Sequence, residues 1–250
     1  DAPALKEGDI GVGMGKTGTD VAKETADMML QDDNFTTITR AIREGRRLFD
    51  NLTKGVRYYL ACKTALIAIF TLPIFLALPL PFAPIQIILL ELFMDIAASV
   101  SFVAEPEEAD IMTDPKIKFM NRSMTLSIFS GAIGLFLVVS IGYLYALNIG
   151  LETVKAQTIA FATWMLTHVL LALNMRSEKE SVFKMGLFSN KAMIIWAGVS
   201  VAALAIGVNL PIVQQALKTT ALSINEWGAV AALSIAGSFW KEWKKMIVKN

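Results

Sequence analysis

"VRYYLACKTALIAIFTLPIFLALPLPFAPIQIILLELFMDIAASVSFVA", residues 56–104, decides the fold class. It reads as two apolar runs, Val56–Leu80 and Pro84–Ala104, joined by "LPLPFAP", which holds three prolines and no charge. An α-helix crosses a hydrocarbon core about 30 Å thick with roughly 20 apolar residues. Each run is that long, and the proline cluster suits a tight hairpin because proline cannot continue a helix.

Working outward, four more runs qualify: Met124–Ile149, Val154–Met175, Asn190–Leu210 and Ala221–Trp240. The 250-residue chain is 54% hydrophobic and 18% charged, against about a quarter charged in soluble domains. Its net charge of +1 selects no partner, and no nucleic acid is expected. The single cysteine, Cys62, excludes an internal disulfide framework. No basic-then-apolar leader precedes residue 56, so the start is not read as a signal peptide.

Lys and Arg gather at alternate loops. Arg40, Arg43, Arg46, Arg47, Lys54 and Arg57 precede the first span. Lys116, Lys118 and Arg122 follow the second, Arg176, Lys179, Lys184 and Lys191 the fourth, and Lys241, Lys244, Lys245 and Lys249 the sixth. The positive-inside rule therefore puts both termini in the cytoplasm, as an even number of spans requires. Trp227, Trp240 and Trp243 read as interfacial anchors in lipid, and Asn148, Asn174, Asn209 and Asn225 as interfacial span ends.

Before the spans lies "GVGMGKTGTD", residues 11–20. A P-loop needs glycine where Ile10 stands. The dinucleotide pattern Gly13-x-Gly15-x-x-Gly18 matches, but without a full βαβ unit it is weak. Aspartyl phosphorylation needs an aspartate before Lys16-Thr17-Gly18-Thr19, where Gly15 stands. A glycine-rich strand-to-helix turn remains, with a strand over residues 9–15. A helix capped at Thr19 or Asp20 is predicted through "TDVAKETADMML". "QDDNF" ends it, and a long helix is predicted from Phe35 into the first span, despite Gly45 and Gly55.

Four ionisable side chains interrupt the spans: Lys63 in the first, Glu91 and Asp95 in the second, His168 in the fourth. A charge at a helix centre costs about 2.5–3.5 kcal/mol or more, so each is a functional candidate. Glu91 and Asp95, four apart, share a helix face. At 1.5 Å per residue, Lys63 and His168 lie roughly 10 Å from the cytoplasmic end and Asp95 roughly 14 Å, which predicts one cluster. Alternatively, Lys63 snorkels to the interface, and His168 is a packing residue bonded by Thr163, Thr167 or a carbonyl.

"DAPALKEGDIGVGMGKTGTDVAKETADMMLQDDNFTTI", "RYYL", "PIQIILLELFMD", "PEEADIM" and, more weakly, "AQTIAFATWML" resemble P-type cation-transporting ATPases. The likeness implies a mainly α chain: a six-helix transmembrane bundle preceded by a partial α/β, Rossmann-like remnant of the phosphorylation domain. Residues 1–38 would end that domain, 39–57 form a cytoplasmic stalk helix, and 56–250 form the transmembrane domain. Asp1 would match the last aspartate of a Gly-Asp-Gly-x-Asn-Asp signature, near the phosphate and magnesium. The phosphorylated aspartate, the nucleotide-binding and actuator domains and four spans would lie upstream. ATP and Mg2+ would serve the whole pump, with none bound by this part alone; its partners would be membrane lipid, the transported cation and that upstream half.

By register with calcium pumps, Asp95 matches an aspartate ligand, and Glu91 replaces an amide, as in sodium- and proton-potassium pumps. Lys63 stands where an asparagine ligand is expected, and Leu66 and His168 where glutamates are. "MDIAAS" lacks the Gly or Pro that loosens this helix in calcium pumps. Calcium favours six to eight oxygens, which a built-in ammonium opposes. Proton-pumping relatives pair a basic residue with an aspartate here, so a cation pump that moves protons is the leading expectation, and a single-site divalent-cation pump of calcium type the second. An ATP-independent channel or secondary transporter is a different class, which inverted repeats would favour; none is visible.

Overall fold

A computed structural model describes residues 2–113 and 119–247. Asp1, Lys116, Lys118 and Lys249 lie outside the described residues. These form two compact units, residues 2–49 with 107–113, and residues 50–106 with 119–247.

The first unit holds α1 (Ala2–Glu7), β1 (Val12–Met14), α2 (Asp20–Thr25), β2 (Met28–Leu30) and the part of α3 (Thr36–Phe75) up to Phe49. Thr19 caps α2, its hydroxyl accepting from the Ala22 amide at 3.3 Å. The helix predicted through "TDVAKETADMML" stops after Thr25, and Met28–Leu30 instead pair in parallel with Val12–Met14. An apolar "MML" satisfies its backbone equally well in a strand. Asp27 reinforces that choice by accepting the Gly11 amide at 2.8 Å. These two short strands are the only ones among the described residues, so the expected Rossmann-like remnant is not supported. A doubly wound sheet needs several parallel strands with helices on both faces, and three-residue strands flanking one six-residue helix do not supply them.

The glycines are demanded by close backbone approach. A Cβ on Gly15 would lie 2.7 Å from the Leu30 carbonyl oxygen, and one on Gly18 2.1 Å from that of Met14. Asp33, in the left-handed region (φ 53°), accepts from the Lys16 and Thr17 amides at 2.8 Å each. The Lys16 amide holds its carboxyl below the usual carboxylate range. Thr37, whose hydroxyl donates to Asp32 at 2.9 Å, does the same for that residue.

In the second unit α3 continues to Phe75. There follow α4 (Pro84–Leu89), a π-helical segment (Leu90–Ile96), α5 (Ala97–Val103), α6 (Arg122–Asn148), α7 (Thr153–Asn174), α8 (Val182–Met185), α9 (Lys191–Asn209), α10 (Pro211–Leu217) and α11 (Ile224–Ile247). Five helical stretches among the described residues are long and apolar enough to cross a membrane: α3, Pro84–Val103, α6, α7 and α9. The sixth expected span coincides with α11, a 24-residue helix that is not among them. Its middle is diluted by Gly228, Ser234, Gly237 and Ser238, and charged residues crowd its end.

Apolar side chains face outward: Phe129, Ile133 and Ile141 on α6, and Ile195, Val199 and Ile206 on α9 are all about half exposed or more. Polar and charged groups turn inward, as lipid requires. The buried helix α7 packs against α6, α9 and α11. Helices α6 and α11 touch backbone to backbone, where a Cβ on Gly134 would lie 2.4 Å from the Gly237 oxygen. Such small-residue contacts let helices pack where lipid offers no hydrophobic drive. Asn174, the last residue of α7, is buried and donates to the Ser238 carbonyl of α11. At the proline hairpin the Tyr143 hydroxyl donates to the Pro79 carbonyl (2.7 Å) and the Gln157 amide to that of Leu80 (2.8 Å).

Candidate functional site

Three elements converge inside the second unit. From α3 come Tyr58, Cys62 and Lys63, from the π-helical segment Glu91 and Asp95, and from α7 Trp164 and His168. Lys63 does not snorkel away. Its ammonium lies 2.6 Å from Asp95 Oδ2, contacts Glu91 Oε2, and sits 4.9 Å from the centre of the Tyr59 ring. Asp95 is 2% exposed, and its second oxygen, Oδ1, lies 3.0 Å from His168 Nε2. That contact is close enough for an ion pair but off the hydrogen-bond axis, so Oδ1 makes no hydrogen bond among the described residues.

His168 is fully buried. Its Nε2 lies 3.9 Å from the Cys62 sulfur, Tyr58 meets its ring edge-on at 5.0 Å, and Trp164 lies 5.8 Å away. Thr163 and Thr167 do not bond it: the Thr167 hydroxyl donates instead to the Thr163 carbonyl at 2.6 Å. Trp196 on α9 donates its indole N–H to the Phe93 carbonyl of the π-helical segment at 3.3 Å, tying that irregular turn in place. The π geometry arises without the Gly or Pro that would have announced it. π turns recur at functional sites because they re-aim side chains.

All four predicted side chains thus meet, with Glu91 at the outer edge, its side chain 38% exposed. Leu66 supplies no ligand and packs on the apolar core. With a neutral imidazole, one ammonium faces two carboxylates, leaving a single negative charge over. A low dielectric penalises uncompensated charge. Cys62 and Tyr58 are additional members. Both are uncharged, and the only signal for them is their spacing, one turn apart on the face that ends at Lys63.

A second buried network is structural. Arg176 donates from Nε to Glu105 at 2.8 Å and from Nη1 to the carbonyls of Gly186 and Leu187, while Asn190 donates to the other Glu105 oxygen at 2.6 Å. Arg57 on α3 donates to the Met175 carbonyl at 2.6 Å and pairs with Glu178.

Apolar helices that turn their charges inward onto one another define a multi-pass integral membrane protein. The chain belongs to the P-type cation-transporting ATPases: residues 79–247 match the family described as "Cation transporting ATPase, C-terminus". It is 33% identical, over its whole length, to "Calcium-transporting ATPase 1" of Yarrowia lipolytica, and covers 27% of that protein. With "Calcium-transporting ATPase" of Bacillus subtilis it shares 36% identity over 96% of the chain and 27% of the relative. With "Potassium-transporting ATPase alpha chain 2" of Oryctolagus cuniculus it shares 33% over the whole chain and 27% of the relative. The chain therefore spans little more than a quarter of the length of these relatives.

Proposed function

We propose that this chain is the C-terminal membrane part of an ATP-driven cation pump, and that Lys63, Glu91, Asp95 and His168 handle the transported cation. One observation carries the reading: Asp95, buried in an apolar bundle, is compensated by Lys63 on one helix and faces His168 on another. Its compensation can change hands. Lys63 touches both carboxylates, so Glu91 can keep the ammonium while Asp95 takes a transported ion. Residues 1–38 would close the phosphorylation domain, with Asp1 beside the phosphate and magnesium and the glycine turn shaping its floor. Residues 39–57 would form the stalk and 56–250 the transmembrane domain, with both termini cytoplasmic. ATP with Mg2+ would phosphorylate an aspartate outside this chain, where positioning and charge stabilisation do most of the work.

The names of the relatives favour calcium as the ion. The ammonium on both carboxylates favours a second reading, proton transport, because Lys63 takes the place of an incoming divalent cation. Ion-dependent phosphorylation of the full-length protein separates these readings. An acid-stable phosphoenzyme that forms only with calcium supports the first, and one that follows pH without calcium supports the second. No phosphoenzyme under any ion condition overturns the pump in favour of a channel or secondary transporter.

A further inference from the structure

We propose that Cys62, Asp95 and His168 bind a borderline-soft divalent transition metal ion of the zinc class, an inference that rests on reading this cluster as the cation site. All three side chains are buried, and their donor atoms, sulfur, carboxylate oxygen and imidazole nitrogen, lie within 4.8 Å of one another. Zinc binds these donors at about 2.3 Å for sulfur and about 2.0–2.2 Å for nitrogen and oxygen. Donors bonded to one ion then stand about 3–4 Å apart. His168 Nε2 is already 3.0 Å from Asp95 Oδ1 and 3.9 Å from Cys62 Sγ.

Asp95 Oδ1 supplies an independent pointer. It is buried, makes no hydrogen bond among the described residues, and still faces a ring nitrogen at 3.0 Å. With the ring proton on Nδ1, two lone-pair atoms face each other at 3.0 Å, and a metal ion bound to both supplies the positive charge between them. Lys63 does not compete for this oxygen, because its ammonium holds Oδ2.

Charge agrees with chemistry. Binding a dication converts the Cys62 thiol to a metal-bound thiolate: the S–H bond is lost, a metal–sulfur bond forms, and the proton leaves to solvent with no change in oxidation state. The cluster passes from one net negative charge to neutrality. Sulfur and imidazole select zinc-class ions, whereas calcium requires six to eight oxygens and finds a single carboxylate among these three ligands. Three protein ligands leave a fourth position open, as a site that must release its ion requires.

Cobalt(II) added to the purified full-length protein in detergent, without ATP, tests this. A thiolate-to-cobalt charge-transfer absorption is expected, saturating at a single equivalent, abolished by equimolar Zn2+ and untouched by excess Ca2+. Cys62→Ser should remove the absorption, and His168→Gln should weaken cobalt binding about tenfold or more. Absence of the absorption in the unaltered protein overturns the proposal, which keeps it testable should a variant misfold. So does its persistence in Cys62→Ser. A calcium-dependent phosphoenzyme without cobalt absorption overturns this inference alone, and cobalt absorption without any phosphoenzyme overturns the pump alone.

Discussion

Lys63 and Asp95 meet at 2.6 Å between α3 and the π-helical segment, and Asp95 is 2% exposed. Removing one partner of a buried pair leaves the other uncompensated, which costs far more than the pair contributes net. Lys63→Met and Asp95→Asn should each destabilise the protein, and the double variant should lose less than their sum. A coupling of about 1–3 kcal/mol is expected from a double-mutant cycle by thermal unfolding in detergent. Strict additivity would mean that the contact contributes nothing.

The Arg176–Glu105 pair sits in a pocket where both side chains are fully buried. Arg176→Ala should therefore cost about 3–5 kcal/mol. Adding Glu105→Leu to it should recover part of that loss, because the stranded carboxylate is gone. Unfolding curves of the two variants and the parent decide the matter.

Gly134 and Gly237 let α6 and α11 touch through their backbones. A methyl group on Gly134 would push into a carbonyl oxygen that cannot rotate aside, so Gly134→Ala should lose about 1–3 kcal/mol by overpacking. Gly198, in α9, has nothing within 4 Å of the corresponding position. Gly198→Ala should lose nothing, and helix propensity gives it up to about 1 kcal/mol. Equal effects at the two sites would contradict the packing described.

Asp33 clamps the glycine turn through the Lys16 and Thr17 amides, and its carboxyl is held below the usual range. A depressed value in the folded state means that the ionised form is the bound one. The clamp is then fully present above the pKa of a free aspartate and is lost as pH falls through the lower folded value. In protein labelled with 15N-lysine, the Lys16 amide resonance should titrate with a midpoint below that of a free aspartate. Asp33→Ala should abolish the titration.

Legibility in the sequence followed charge and hydropathy. Lys63, Glu91, Asp95 and His168 could be placed together because a charge within an apolar run needs a partner, and their depths matched. Cys62 carries no charge and resembles its apolar neighbours, so only its spacing from Tyr58 marks it in α3. The strand at Met28–Leu30 was hidden because its methionines and leucine would equally extend a helix; only pairing with Val12–Met14 decides. In α11, alanine, glycine and serine give a helical pattern whose hydropathy falls short of the other spans. The π-helical turn left no local mark, since it depends on contacts such as the Trp196 indole on the Phe93 carbonyl.

A π turn accommodates one residue more than an α turn would, and that surplus is mobile in principle along the helix axis. Were Leu90–Ile96 to tighten into ordinary α geometry, the following residues would rotate by about 100°, the angular share of one residue. Asp95 would swing off the imidazole, with no rod having to tilt or slide. A turn of looser winding thus lies directly under the carboxylates themselves.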